Sequence, residues 1–246
     1  MSIQQSIQQL GPLRCRIIDQ LPEGEQPRQA LVLCHGFGAP GDDLASFGPW
    51  LLQQSKKLAD GCRLYFPEAP IDLGPMGMPG GRAWWPINMA ALAQMHETRD
   101  FSLLTQVEPP GMAEATDLYF RTVQAIREDS GLTDDRIVLG GFSQGAMINT
   151  NLVLQQKIEP QLLVLFSGCL LASERWSQQA EAHPGCDVLQ SHGTQDTVLP
   201  FNAAEALRDL LQQHGFNVTF EEFAGVHTIP QPVLNQMIQR MTESLS

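Results

Sequence analysis

Short runs of apolar residues alternate along this chain with longer segments in which apolar side chains recur every three or four positions. A continuous apolar run of about four to eight residues is typical of a strand buried on both faces, and the longer period is typical of an amphipathic helix. The predicted strands are 13–18, 30–34, 63–67, 137–140, 162–166, 187–193 and 218–223. The predicted helices include 112–128, 144–156, 203–211 and 233–241.

Strands and helices that alternate in this way favour the α/β class, with a mostly parallel central sheet and helices on both faces. The first predicted strand, 13–18, is expected at an edge of the sheet, and residues 1–5 are expected to be a loose end. A chain of 246 residues that is 43% hydrophobic can bury one full core, and it contains no internal repeat or linker. We therefore predict a single domain over 1–246.

Charge and composition argue against several classes of partner. The net charge of −12 disfavours electrostatic binding to nucleic acid or to an anionic lipid surface. No apolar stretch approaches about 18 residues, and the N-terminus lacks the features of a signal peptide, so no integral membrane association is expected. The five cysteines form no C-x-x-C pair, which favours reduced thiols in a cytoplasm. No motif specifies an oligomeric state, and a homodimer is the assembly that we consider.

The segment Gly141-Phe142-Ser143-Gln144-Gly145 joins a predicted strand to a predicted helix. In that context G-x-S-x-G is a nucleophile elbow, in which the serine lies on a sharp turn and the glycines avoid collisions with a neighbouring strand or helix. The start of the following helix offers free N–H groups where an oxyanion would form. Ordinary turns also contain Gly and Ser, so the interpretation depends on an acid and a histidine later in the chain.

Asp196 and His227 supply that acid and that histidine, because each follows a later predicted strand. Ligands of an open α/β sheet bind beyond the carboxyl ends of its strands, so both side chains are expected near Ser143. The order serine, aspartate, histidine is that of the α/β-hydrolases. His227 would accept the proton of the Ser143 hydroxyl, and Asp196 would orient and stabilise the imidazolium. Each also has a simpler interpretation, Asp196 as the start of a turn and His227 as a loop histidine.

Other side chains compete for these roles. Asp187 and Asp209 are alternative acids, but one precedes a predicted strand and the other lies within a predicted helix. His35 and His192 are alternative bases, since each stands in a His-Gly pair after a strand. We interpret both histidines as structural residues that bind turn backbone.

Two backbone N–H groups complete the predicted site. Phe37 lies in the glycine-rich turn after an early strand and Gln144 directly follows the serine, so their N–H groups are the predicted oxyanion hole. Gly74, Gly77 and Gly80 are evenly spaced, but no helix follows them, which argues against dinucleotide binding. The chain has no H-E-x-x-H motif or His/Asp cluster, so neither a metal nor another cofactor is predicted.

Five stretches spread along the chain carry a family resemblance, namely 33–38, 66–70, 135–145, 188–196 and 218–227. They resemble the phospholipase/carboxylesterase family of α/β-hydrolases, which includes the acyl-protein thioesterases and small bacterial carboxylesterases. The resemblance implies an α/β-hydrolase fold and hydrolysis of carboxylic esters or thioesters through an acyl-serine intermediate. It also implies the same triad and the same oxyanion donors. Alternatives are a lactone or amide substrate, or a relative that binds ligands without catalysis.

Residues 71–111 depart from the regular pattern. They are rich in Gly, Pro and Met, and so long a loop in a compact domain is usually functional, so we interpret the segment as a substrate-side loop or cap insertion. Trp-Trp-Pro replaces the Trp-Phe-Asp that the family tends to have, and 88–111 is longer than in the thioesterases. The predicted pocket for an acyl chain or other small-molecule ester consists of Leu73, Met76, Met78, Trp84 and Trp85. The alternative is that these side chains only pack the loop onto the domain.

Overall fold

The computed structural model describes residues 2–98 and 100–245 of the chain. The strands of this described part are β1 (Gln4–Leu10), β2 (Leu13–Asp19), β3 (Gln29–Cys34), β4 (Cys62–Pro67), β5 (Ile71–Asp72), β6 (Arg82–Ala83), β7 (Ile137–Phe142), β8 (Leu162–Phe166), β9 (Asp187–Gly193) and β10 (Asn217–Phe223). Eight of them form one sheet in the order β1-β2-β4-β3-β7-β8-β9-β10, and β5 pairs with β6. From β4 to β10 all neighbours in the large sheet are parallel, whereas β2 is antiparallel to β1 and β4.

Helices cover both faces of the large sheet. In the described residues they are α1 (Gly48–Gln53), α2 (Lys56–Gly61), α3 (Met89–Thr98), α4 (Ser102–Gln106), α5 (Met112–Ser130), α6 (Gln144–Gln156), α7 (Ser173–Glu181), α8 (Phe201–Gln213) and α9 (Gln231–Ser244). Apolar residues of α5, α6, α7 and α8 pack on one face, and those of α1, α2 and α9 pack on the other. The predicted architecture, a mostly parallel sheet between two helical layers, is confirmed. No helix within 2–98 or 100–245 combines the length and apolarity needed to cross a membrane.

A strand begins at Gln4, so the predicted loose end over 1–5 is wrong for Gln4 and Gln5, while residue 1 lies outside the described residues. β1 pairs with β2 from Gln4 to Leu10, which makes β1 the edge of the sheet and moves the 13–18 segment inside it. Only Leu10 of β1 is buried. An apolar pattern therefore could not reveal this strand, which is held mainly by backbone hydrogen bonds to its neighbour.

The segment 71–111 is also more ordered than a loop, because it contains β5, β6, α3 and α4. Its Gly and Pro residues concentrate at 74–81 and 109–111, whereas 89–98 consists largely of Ala, Leu, Met and Gln. Those residue types favour helix. Glu108, near the end of the segment, pairs with Arg175 of α7 at 2.7 Å and so ties the segment to that helix.

Candidate active site

Ser143 lies between the end of β7 and the start of α6 in a strained backbone conformation. Its φ of 55° and ψ of −118° form a combination that costs a non-glycine residue about 1–3 kcal/mol. Steric crowding requires the flanking glycines. A β-carbon on Gly145 would lie 2.0 Å from the carbonyl oxygen of Cys34, and one on Gly141 would lie 2.5 Å from the backbone of Gly145. β3 and α6 approach so closely that only small residues fit on either side of the serine.

Asp196 and His227 lie together beyond the carboxyl ends of β9 and β10. Nδ1 of His227 is 2.6 Å from Oδ2 of Asp196, whose side chain has no exposed surface. The other carboxylate oxygen, Oδ1, accepts hydrogen bonds from the N–H groups of Val198 at 2.8 Å and Leu199 at 2.9 Å. Asp196 therefore both starts the local turn and binds the histidine, so the two sequence interpretations of this residue are compatible.

Asp196 is ionised although it is buried. Burial raises the pKa of its carboxyl group, but hydrogen bonds from His192, His227 and the N–H of Leu199 outweigh burial and hold the pKa well below the usual range. An ionised carboxylate can only accept hydrogen bonds, so Nδ1 of His227 carries the proton. Nε2 of the neutral ring is consequently free to accept a proton.

His227 packs against the elbow. The centroid of its ring is 4.7 Å from that of Phe142, the residue directly before Ser143. The turn after β8 connects the two loops, because the hydroxyl of Ser167 donates to the carbonyl of Thr228 at 3.0 Å. The N–H of Ser143 in turn donates to the last residue of β8 at 2.9 Å. The structure thus brings the predicted nucleophile, base and acid to one edge of the sheet.

The alternative acids lie elsewhere. Asp187 begins β9, at the opposite end of that strand from Asp196, and accepts a hydrogen bond from Asn217 at 2.7 Å. Asp209 lies on α8 and pairs with its neighbour Arg208 at 2.8 Å. Neither contact brings a carboxylate to the elbow.

The turn that carries Phe37 is fixed by His35, which is fully buried. Nε2 of His35 accepts the N–H of Ala69 at 3.1 Å, so Nδ1 must carry the proton that it donates to the carbonyl of Gly36 at 2.8 Å. Burial lowers the pKa of His35 and keeps the ring neutral. These contacts agree with the interpretation of His35 as a residue that supports turn backbone.

Gln144 connects the elbow to segment 71–111. It is the first residue of α6, and the N–H at this position has no acceptor within the helix. Its side chain accepts the N–H of Trp84 and donates to the carbonyl of Trp85, both at 2.9 Å. The indole N–H of Trp84 binds the carbonyl of His35 at 3.0 Å. The elbow, the turn after β3 and the paired tryptophans therefore form one hydrogen-bonded unit.

The predicted pocket residues fall into two groups. Leu73 and Trp84 have no exposed surface and Trp85 is only 3% exposed, so these three side chains pack into the interior and present no surface for a substrate in this conformation. Met76 is 62% exposed and Met78 is partly exposed. Met78 lies beside Gly38 in the turn after β3. Its sulfur is 3.7 Å from where a β-carbon on Gly38 would be. Of the five predicted pocket residues, only Met76 and Met78 have accessible side chains.

Sequence reasoning missed a second imidazole at Asp196. Nε2 of His192 is 3.2 Å from Oδ2 of Asp196 and 3.0 Å from the carbonyl of Leu199. The contact to Leu199 is the expected bond to turn backbone, whereas the contact to the carboxylate was not expected. Its only signal in the sequence is that the histidine lies in the predicted strand 187–193, four residues before the aspartate.

This sheet, with a serine elbow after β7 and the histidine loop after the last strand, defines an α/β-hydrolase. The phospholipase/carboxylesterase family model matches residues 21–245, and the chain belongs to that family.

Proteins that match this chain over most of their length include acyl-protein thioesterases and an esterase. Acyl-protein thioesterase 1 of Neurospora crassa is 27% identical over 221 residues, which cover 87% of this chain and 86% of the relative. Acyl-protein thioesterase 1 of Candida albicans is 28% identical over 229 residues, covering 88% and 92%. Among solved structures, esterase PE8 is similar with a TM-score of 0.72 and 26% identity over 89% of this chain and 93% of its own.

Proposed function

We propose that Ser143 is the nucleophile, His227 the general base and Asp196 the orienting acid of a serine hydrolase for carboxylic esters or thioesters. The carboxylesterase and thioesterase class follows from the family and from relatives of that type. The observation that carries the residue assignment is the 2.6 Å contact between Asp196 and His227, whose ring packs on the residue before Ser143.

Acylation follows from the proton positions. As Oγ of Ser143 bonds to the carbonyl carbon of the substrate, Nε2 of His227 takes the hydroxyl proton, and Asp196 stabilises the resulting imidazolium. The N–H groups of Phe37 and Gln144 are the proposed donors to the tetrahedral oxyanion. When the intermediate collapses, the carbon–oxygen or carbon–sulfur bond breaks. The departing alcohol or thiol takes the proton from Nε2.

Deacylation repeats these steps with water. His227 accepts a proton from the water as the water oxygen adds to the acyl carbon. The second tetrahedral intermediate collapses by breaking the bond to Oγ of Ser143, which receives the proton from Nε2. A carboxylic acid leaves and the free hydroxyl is restored.

The proposed substrate is an ester or thioester with an apolar acyl group. The exposed side chain of Met76 and the partly exposed side chain of Met78 support this proposal, because both are adaptable apolar surfaces on the insertion. The surface would rest on buried side chains of the same segment, namely Leu73, Trp84 and Trp85.

A substrate series tests the proposal. We expect kcat/KM for chromogenic esters to rise about three- to fourfold per added methylene while the chain covers the methionines, and to level off afterwards. Met78→Ala should flatten the rise without reducing turnover of the acetyl ester. A matched thioester, lactone and amide complete the panel. Faster turnover of the lactone or the amide would favour the alternative substrates, and no turnover or serine labelling at all would favour a ligand-binding relative.

A homodimer through the edge strand β1 is the assembly that we propose. Six of the seven β1 residues are exposed and none is charged, although the chain as a whole has a net charge of −12. Edge strands usually carry Lys or Pro against such pairing. Antiparallel pairing of two β1 strands about Ile7 would join Gln5 to Gln9 of the partner subunit. Ile7, which is 44% exposed, would then be covered by its own copy.

Sedimentation velocity tests this assembly. The unchanged protein is expected to sediment as a dimer, and Ile7→Lys as a monomer with unchanged ester turnover, because β1 lies far from the elbow in sheet order. A monomeric unchanged protein would contradict the proposal.

A cytoplasmic location is proposed from the cysteines, all of which are free. The negative net charge supports the absence of a nucleic-acid partner. Thiol titration of the unfolded, freshly isolated protein should count five thiols per chain. A lower count without reductant would argue for an oxidising compartment.

A further inference from the structure

His192 is a buried histidine to which the hydrolytic steps assign no part. It is the last residue but one of β9 and has no exposed surface. Nε2 faces two acceptors, the carbonyl of Leu199 at 3.0 Å and Oδ2 of Asp196 at 3.2 Å. A carbonyl can only accept, so Nε2 carries a proton that both oxygens share.

The other nitrogen fixes the charge of the ring. Nδ1 of His192 is buried without a hydrogen-bond partner among the described residues. A proton there would be a buried donor with no acceptor, which is unfavourable. His192 is therefore a neutral ring with its single proton on Nε2. The edge-on contact with the ring of Phe201, at 6.1 Å between centroids, adds apolar surroundings.

We propose that His192 is a positioning residue for Asp196. Its hydrogen bond holds Oδ2 beside His227 and partly neutralises the negative charge of the carboxylate next to that ring. This inference rests on the proposed function, since it assigns His227 as the base. Oδ1 is already bound by two backbone N–H groups and Oδ2 by two imidazoles, so the carboxylate has no freedom to rotate.

Removing the Nε2 donor has a predictable direction. Oδ2 then faces His227 alone, with more of its charge available to the imidazolium, so the acid limb of the ester pH profile is expected to move to higher pH. Other titratable groups facing Asp196 within the described residues are His227 itself and Cys169. Burial first, and then the charge of Asp196, raise the pKa of the Cys169 thiol to about 12, so this thiol is neutral across the range of interest.

Three substitutions at one position separate positioning from simple packing. His192→Gln keeps an amide N–H close to the place of Nε2, His192→Asn has a similar amide that is too short to reach Oδ2, and His192→Leu has no donor. His183→Gln is the matched control, because His183 is also buried and binds a carbonyl, that of Ile158 at 2.8 Å, on another part of the chain.

The experiment is the pH dependence of ester kcat/KM between about pH 5 and pH 9, normalised by fluorophosphonate titration of active serine, with a melting temperature for each variant. His192→Leu and His192→Asn are expected to lose about tenfold to a hundredfold in kcat/KM, with the acid limb moved to higher pH by about half a unit or more. His192→Gln should keep most of the kcat/KM and an acid limb near that of the unchanged protein. His183→Gln should match the unchanged protein in both quantities.

The proposal would be overturned if the melting temperature fell in all three His192 variants while kcat/KM and the acid limb stayed unchanged. His192 would then have only a packing role. If His192→Leu does not fold, equal profiles for the Asn and Gln variants would overturn it just as well. Failure of the proposed function looks different, because the unchanged protein would then show no labelled serine to titrate.

Discussion

Ser143→Ala is expected to lower kcat/KM for a chromogenic ester by about 10⁴-fold or more. The substitution removes only the hydroxyl that would form the acyl intermediate. Alanine at the same φ of 55° bears the same backbone strain, so the melting temperature should stay at the value of the unchanged protein. Steady-state turnover and a thermal melt of the same sample measure the two quantities.

Two further serine variants make this result specific. Ser46→Ala removes an exposed hydroxyl that donates to the carbonyl of Asp43, at 2.9 Å, and should keep full activity. Ser143→Gly should be equally inactive but more stable by about 1 kcal/mol, because glycine accepts positive φ without strain. Retention of more than about a tenth of the activity in Ser143→Ala would exclude Ser143 as the nucleophile.

His227→Ala is expected to cost about 10⁴-fold in kcat/KM and to remove the acid limb of the pH profile from whatever activity remains. The hydroxyl of Ser143 would lose the group that takes its proton, and Asp196 would lose the cation that it stabilises. Single-turnover kinetics across pH isolate acylation from product release.

His214→Ala is the control for that loss, because His214 is half-buried and binds the hydroxyl of Ser177 on α7 at 3.1 Å. It should retain the activity and pH profile of the unchanged protein. If His227→Ala reacts with a fluorophosphonate as fast as the unchanged protein, the base has been assigned to the wrong residue.

The buried strands could be predicted because the sheet is covered on both sides. All six residues of β3 and all five of β8 are buried, which leaves a continuous apolar run in the sequence. β1 gives no such signal, since its pairing with β2 depends on backbone groups that every residue carries. Pairing of this kind is invisible to side-chain patterns.

The positions of the candidate site residues could also be predicted, because parallel strands put their carboxyl ends at one edge. From that rule Asp196 and His227 are expected close to Ser143. In the structure His227 contacts Asp196 and packs on the residue before Ser143. Their chemical roles remain predictions until variants are measured.

Packing of the insertion could not be predicted from its composition. Leu73, Trp84 and Trp85 are as apolar as pocket walls require, but the same apolar surface is stabilised equally well by burial in the domain. The buried arrangement also involves the side chain of Gln144, which binds the backbone of both tryptophans from a distant part of the sequence. The contact of His192 with Asp196 was missed because a spacing of four residues between a strand histidine and a turn aspartate does not by itself specify a hydrogen bond.

Covalent labelling followed by peptide mass mapping tests the central claim most directly. After treatment with a fluorophosphonate, the protein is predicted to carry one phosphonyl group per chain, on the peptide that contains Ser143, with ester hydrolysis lost in proportion to labelling. An adduct on any other residue, or full activity after complete treatment without an adduct, would contradict the account.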